Sequence, residues 1–330
     1  MSTAPAPGIA INLTGVILVM EGDEAAIYAS NFDAGGSPGL PSGPFEPIKH
    51  RTLELGLRSF AQEQAKLSLG YVEQLYTFGD RGRHAGESAA EGEAMLNPHI
   101  VSIGYLALTR IAPGTAPRGH FHQLYGFFPW EDWRKGPPAI IARDILPRLA
   151  LWASDHAAEA ASADRRALSR AERVALLFGA DGTPFDEEKV LERYELLYEA
   201  GLVEEALRDG RKAATFWPSL PKLGRMMQLD HRRILATALG RIRAKLKYRP
   251  VIFELMPPDF TLTDLQRKVE AISGHPLHKQ NFRRLVETGG LVEATGGQTM
   301  TRGRPAALFR FRRDVLTERP APGLRLGRSG

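Results

Sequence analysis

The sequence predicts an α+β fold: strands and one helix near the N-terminus, helices through the middle, and a helix–turn–helix with a β-hairpin at the C-terminus. Three observations carry this. Apolar, β-branched runs at residues 11–20, 25–30, 71–78 and 100–109 read as strands. Helical patterns rich in Ala, Leu, Glu and Arg fill much of residues 139–207. Beyond residue 230 come three apolar stripes at helical spacing, a Gly289-Gly290 stop and two short strand-like runs.

The first two strands meet at Glu21-Gly22-Asp23, which has the chemistry of a hairpin turn. A Gly/Pro/Ser-rich loop follows at 33–44, and 51–65 reads as a helix with Leu53, Leu57, Phe60 and Ala61 on one face. A polar loop, 80–97, separates the next two strands, and 122–128 reads as one more. Elements at this spacing fit helices packed on a sheet. The stretch 139–163 is helical, with Pro147 predicted to kink or break it. Residues 169–177 and 187–207 are further helices. Residues 151–219 carry no evident chemistry and read as a helical insert or linker.

A chain of 330 residues that is 43% hydrophobic is long enough for two domains with sizeable cores. The absence of cysteine excludes disulfides, thiolate zinc sites and cysteine nucleophiles. The N-terminus has no basic stretch ahead of an apolar run, and the apolar run 9–20 is broken by Asn12, Thr14 and Gly15. It is too short to span a bilayer, so a cytoplasmic protein without membrane contact is expected. The net charge of +5 is unevenly placed: residues 222–316 hold 19 Lys/Arg against 8 Asp/Glu, a charge of +11, which leaves −6 elsewhere. Such asymmetry suggests that one end meets a polyanion; a solvated charged surface is the alternative.

The basic end is the most informative part. Asp230 can cap a helix reaching about Leu246, with Ile234, Leu235, Ala238, Leu239 and Ile242 on its stripe. Thr263-Asp-Leu-Gln266 has the pattern of a capping box for a second helix, which Ser273-Gly274-His275-Pro276 breaks. In a third helix, 277–288, Phe282, Leu285 and Val286 face inward. Lys279, Gln280 and Arg283 then face outward, flanked by Asn281 and Arg284. These cationic and amide groups suit phosphates and base edges. Strands at 291–295 and 306–312 follow, and their connecting loop carries Arg302 and Arg304. Helix, turn, helix and a basic-tipped hairpin describe a winged helix–turn–helix over residues 220–316, with a flexible tail at 317–330. Its expected partner is a double-stranded DNA operator, and reading two half-sites requires a homodimer. A winged helix used for protein contacts is the alternative.

The chain resembles the Nudix-related transcriptional regulators of bacterial NAD metabolism, the NrtR-like group, in particular its proteobacterial branch of NAD regulators, or NadQ. One block of resemblance is 40–108, with Val72-Glu-Gln-Leu-Tyr-Thr-Phe-Gly-Asp80 and Val101-Ser-Ile-Gly-Tyr-Leu-Ala-Leu108. The other is 229–311, with His231-Arg-Arg-Ile234, Phe260-Thr-Leu262, Asn281-Phe-Arg-Arg284 and Gly303-Arg-Pro-Ala306. The resemblance implies an N-terminal Nudix-like α/β/α sandwich over residues 1–150 that senses a nucleotide effector: ADP-ribose, NAD or a related compound. It also implies that Arg58, Glu63, Tyr76 and Phe78 contact that effector. A structural ion pair of Arg58 with Glu63, or helix capping by them, is the alternative.

The hydrolase signature of that fold is altered. Gly43 fits its first position, Lys49 stands where Glu is expected, and one extra residue precedes Arg58. Ser59 and Gln62 replace two metal-binding glutamates, Glu63 remains, and Ala65 replaces glycine. Three carboxylates at helical spacing can hold Mg²⁺, whereas one carboxylate beside a hydroxyl and an amide is a poor cage. The expectation is therefore a DNA-binding repressor of NAD biosynthesis or salvage genes, with no catalytic residues, no metal and no required cofactor. An active Nudix-type pyrophosphatase with an accessory nucleic-acid-binding domain is the alternative, and an interaction adaptor with two vestigial domains is a third reading. His120 and His122 alternate as a metal pair would, but no third ligand is near in sequence, so packing or surface roles are expected. Gly35-Gly36 lacks the Gly-Lys-Ser/Thr of a phosphate loop.

Overall fold

The computed structural model describes residues 8–30, 36–80, 99–111, 120–155, 168–300, 305–318 and 323–324. Strands β1 (Ile9–Glu21), β2 (Glu24–Ala29), β3 (Ser42–Pro44), β4 (Tyr71–Phe78), β5 (His99–Leu108) and β6 (His120–Gln123) form one sheet in the order β4-β5-β1-β2-β6. β1 is long enough to change partners along its length. Its first half pairs with β3 and its last residues pair with β2, both antiparallel, while β5 runs parallel beside it from Ile9↔His99 to Leu18↔Leu108. The expected hairpin at Glu21-Gly22-Asp23 is present, with Gly22 at φ +60. The run expected as a strand at 122–128 is β6 at its start only, since Leu124–Gly126 form a 3₁₀ turn.

Helix α1 (Leu53–Phe60) begins where the Thr52 hydroxyl accepts the Leu55 N–H, and a π-type turn, Ala61–Ala65, prolongs it. It covers one face of the sheet: Leu57, Phe60 and Ala61 pack on Leu13, Ile17, Tyr105 and Ala107. Gly15 makes the close approach possible, because a Cβ there would lie 2.8 Å from a Leu57 methyl.

In the middle of the chain, a π-type turn, Ile141–Ile145, runs into α2 (Leu146–Ala153). The break expected at Pro147 takes the form of this change of pitch, with the proline in the first turn of α2 where a missing N–H costs least. α3 (Arg170–Phe178) opens on a Ser169–Glu172 capping box. The helical run expected at 187–207 is two helices, α4 (Val190–Glu199) and α5 (Glu204–Arg208), divided at Gly201 with φ +72.

Helix α6 (His231–Tyr248) departs from the expected organisation. The apolar stripe assigned to the C-terminal module lies on the second face of the sheet, in one core with Val16, Leu18, Phe78, Leu106 and Leu108. α6 is thus the second helical layer of an α/β/α sandwich, and α4 packs on its other side. A stripe on a helix specifies that a face is buried, not which surface buries it.

Two charged clusters are sealed inside this packing. Glu131, 0% exposed, is bracketed by Arg193 of α4 at 2.6 Å and Arg243 of α6 at 2.6 Å. Burial alone would raise the Glu131 carboxyl, but the two guanidiniums hold it below the usual carboxylate range. Arg232 pairs with Glu205 at 3.0 Å, donates to the Phe127 and Leu223 carbonyls, and lies against the rings of Phe128, Trp130 and Tyr194.

The C-terminal part comprises a 3₁₀ turn (Val251–Leu255), α7 (Leu262–Ser273), α8 (Lys279–Thr288), the hairpin β7 (Val292–Met300) and β8 (Pro305–Phe311), and the short helix α9 (Val315–Glu318). In the stretch expected as a flexible tail, Leu324 is buried and its N–H donates to the Leu246 carbonyl at 3.0 Å. No helix among the described residues is long and apolar enough to cross a membrane.

Candidate nucleic-acid interface and sensor elements

The helix–turn–helix is built from α7, α8 and the turn between them. Phe260 bridges to Phe309 of β8 by two backbone hydrogen bonds, which leaves Thr261 extended, at φ −88 and ψ 155, ready to cap α7. The Thr261 hydroxyl accepts the Asp264 N–H at 3.1 Å and the Asp264 carboxylate accepts the Thr261 N–H at 3.1 Å. The capping box is therefore Thr261–Asp264, not the expected Thr263–Gln266. Both pairs have the right spacing, and the sheet bridge at Phe260 selects the earlier one. Gln266 ties the turn instead, donating to Glu270 at 2.9 Å and to the Leu277 carbonyl at 2.8 Å.

The turn is clamped onto the rest of the chain. Gly274 closes α7 in the left-handed region, at φ +78, and a Cβ there would lie 2.4 Å from the Glu131 carbonyl oxygen. Its own carbonyl accepts the Trp133 N–H at 2.7 Å. Arg243 and Tyr125 both donate to the Ile272 carbonyl. His275 stacks on Trp133 at 5.7 Å, and burial, with Arg243 nearby, keeps its imidazole below the usual histidine range.

On α8, Phe282 and Val286 are buried and Leu285 is half-buried, as the stripe predicts. Lys279, Gln280, Asn281, Arg283 and Arg284 are all exposed, and their side chains make no ion pair or hydrogen bond with the described residues. The first turn of α8 has no acidic residue and no side-chain cap. Its free N–H groups and the Lys279 ammonium together present positive charge, an arrangement suited to phosphate, although Asp23, Asp264 and Glu287 line the adjoining groove. Thr261, Thr263, Arg267, Lys279 and Arg283 line an open groove of about 1090 Å³ between α7, α8 and β8. Arg267 was not singled out from sequence, and Thr261 and Thr263 entered only as part of a family motif and as a capping residue; a Thr-x-Thr at the start of the helix before a recognition helix is the signal that could have placed them in the groove. Arg302 and Arg304 lie outside the described residues.

Part of the remaining basic charge is spent internally. Of the 19 Lys/Arg at 222–316, seven pair with acids that precede residue 222. Arg241 and Lys245 reach Glu73, Lys247 reaches Glu187 and Glu188, Arg233 reaches Asp80 and Glu195, and Arg267 reaches Asp23. With the two buried clusters, these pairs join the acidic and basic halves.

The four residues expected to contact an effector do not converge. Arg58 donates to the Leu69 and Gly70 carbonyls, at 2.6 and 3.1 Å, and pairs with Glu54, so it tethers α1 to the strand that follows. Glu63 accepts from the Ser59 hydroxyl at 2.8 Å. The alternative, an Arg58–Glu63 ion pair, is not among the described contacts. Phe78 is 2% exposed in the core beneath α6, on the face opposite α1, with the Arg233 guanidinium 5.2 Å from its ring. Tyr76 is 62% exposed and edges onto Phe78 at 5.5 Å. Phe78 is thus packed in the core, beyond the register shift between Gln74 and Thr77. His120 and His122 share one face of β6, with rings 6.4 Å apart, and His122 meets Arg225 at 2.8 Å. No group of three metal-ligating side chains occurs among the described residues.

Residues 252–311 match the NrtR DNA-binding winged helix domain. The ADPR responsive transcriptional repressor NtrR of Acinetobacter baylyi is 42% identical over 85 residues, which cover 26% of this chain and 34% of that protein. The match thus spans about a third of that relative. Shewanella oneidensis NrtR in complex with a 27mer DNA superposes with a TM-score of 0.51 at 17% identity, over 93% of this chain and 95% of its own. The same protein without DNA gives 0.50 at 16% identity, over 92% and 95%. The expected fold, an N-terminal Nudix-like α/β/α sandwich followed by a winged helix–turn–helix, is borne out, and so is the resemblance to the NrtR-like regulators.

Proposed function

We propose that the chain is a transcriptional repressor of the NrtR type, which binds double-stranded operator DNA through α8 and is governed by ADP-ribose or a related nucleotide. The observation that carries the reading is the outer face of α8. Five polar side chains there are exposed and unpaired among the described residues, whereas α6 alone commits six cations to ion pairs with acids earlier in the chain. The A. baylyi relative, a repressor responsive to ADPR, supports the effector class. Gel shift on the upstream regions of NAD biosynthesis genes, with and without ADP-ribose, tests both parts. Absence of any shifted duplex would overturn the DNA-binding reading; a shift indifferent to every nucleotide would overturn the effector. Two half-sites imply two copies of the chain, to be checked by sedimentation with and without duplex.

The domain division that fits this reading places residues 231–248 with the sensor and starts the winged helix near residue 250. We expect an ADP-ribosyl effector to raise the melting temperature. At a hundredfold excess over Kd the stabilisation is about 2.7 kcal/mol, which corresponds to roughly 5–10 °C. A flat thermal-shift response to ADP-ribose, NAD and NADH would remove the sensor from the proposal.

The sensor is proposed to lack hydrolase activity. Ser59 and Gln62 supply no carboxylate to a divalent cation, and the one remaining acid, Glu63, accepts a hydrogen bond from Ser59. With Mg²⁺ and ADP-ribose, turnover at enzymatic rates, about one per second or faster, is not expected. Ser59→Glu combined with Gln62→Glu is not expected to create it, because Lys49, 67% exposed and paired with Glu46, still stands where an acid is required. Multiple turnovers by the unmodified chain would favour the pyrophosphatase reading instead.

A further inference from the structure

We propose that the helical segment between β6 and α6 carries a second small-molecule site, which takes a planar aromatic ring bearing a single negative charge. The site is a cavity of about 460 Å³ where the ends of α2 and α4, the start of α3 and the 212–217 turn meet. That volume lies within the range of ligand pockets.

Its walls are aromatic and held in place. Trp152 is 7% exposed, with the Arg170 guanidinium stacked 4.3 Å from its ring centre and donating to its carbonyl at 3.0 Å. The Trp217 indole N–H donates to the Ala200 carbonyl at 2.8 Å, which fixes that ring. Phe216 stands edge-on to Trp217 at 5.0 Å yet is 62% exposed, an apolar surface left beside the opening. Rings arranged in this way offer faces and edges to a flat guest, which an aliphatic chain would not exploit.

The charge of the lining selects the rest of the ligand. Among the described residues of the lining, Arg170 and Lys212 are the cations and Asp155 the one acid, a balance of +1 that a monoanion neutralises. Arg170 is already engaged with Trp152, while Lys212 is exposed and makes no ion pair with the described residues, so the ammonium of Lys212 is the group placed to meet the anion. No bond is made or broken; the step is binding alone. None of these residues belongs to α8 or to the altered hydrolase motif, so the site stands or falls independently of the proposed DNA and ADP-ribose chemistry.

The probe is naphthalene-1-carboxylate, with the uncharged naphthalene-1-carboxamide beside it, titrated into the full chain. The readouts are calorimetry and tryptophan fluorescence, since two of the chain's four tryptophans, Trp152 and Trp217, line the cavity. The expected result is saturable 1:1 binding of the carboxylate with a fluorescence change, and at least tenfold weaker binding of the amide. Lys212→Ala should bring the carboxylate down to the level of the amide. Ala213→Trp, which fills the cavity while keeping its walls, should abolish binding of both, with circular dichroism and melting used to confirm that each variant is folded. The proposal is overturned if the carboxylate does not saturate, if carboxylate and amide bind alike, or if folded Ala213→Trp binds as the parent does.

Discussion

Glu131→Gln is expected to lower the melting temperature by roughly 6–15 °C, the equivalent of about 3–5 kcal/mol for breaking a buried ion pair. The carboxylate is fully buried and, among the described residues, is the one acid serving both Arg193 and Arg243, so its loss strands two desolvated guanidiniums. Glu293→Gln is the contrasting variant. Its partner Arg310 is 62% exposed, and a pair in water contributes about 0–1 kcal/mol. The acid side of the stability profile gives an independent readout. The folded-state carboxyl of Glu131 is held below its ordinary value of 4.5. Its contribution is therefore fully present above that value and is lost as pH falls through the lower folded-state value. Glu131→Gln should lack that part of the pH dependence. A melting temperature within 2 °C of the parent, or an unchanged acid limb, would show that the cluster does not hold the domains together.

Arg283→Ala is expected to weaken operator binding by about 1–3 kcal/mol and to relax preference at one base pair. The side chain is exposed, unpaired among the described residues and centred on the outer face of α8, so its removal should leave folding untouched. Lys279→Ala at the helix start should act differently: a phosphate contact supplies affinity without sequence information, so operator and scrambled duplex should weaken together, with the salt slope reduced by about 1. Binding to matched and scrambled duplexes across a salt series separates the two. If neither substitution alters either duplex, α8 does not enter the groove.

Much of this chain is legible residue by residue. The hairpin at Gly22, the strands on either side of it, the start of α3 and the two faces of α8 follow from turn chemistry, capping and periodicity, because those are local properties. The altered carboxylate set on α1 is equally local, since a hydroxyl and an amide cannot become metal-binding acids in any fold. What resisted reading was everything that depends on a partner distant in the chain. Two capping boxes overlap at 261–266, and the backbone bridge from Phe260 to Phe309 chose between them.

Local chemistry was thus sufficient for the elements of the winged helix and for the face of α8 that points away from the core. Tertiary packing decided which surface buries the stripe of α6. The stripe of α6 could have covered a helix pair or a sheet, and it lies against β1, β4 and β5 while α4 and α7 also contact the helix, because apolar surface is buried by whatever apolar surface the fold brings beside it. Packing also redistributed the charge. The basic excess that pointed to a polyanion is met in good part by Glu73, Glu131, Glu187, Glu188 and Glu205 from the acidic half. Composition counts charges, but only the fold determines which of them face one another and which remain exposed on α8, because a Coulomb interaction depends on separation and burial and not on position along the chain.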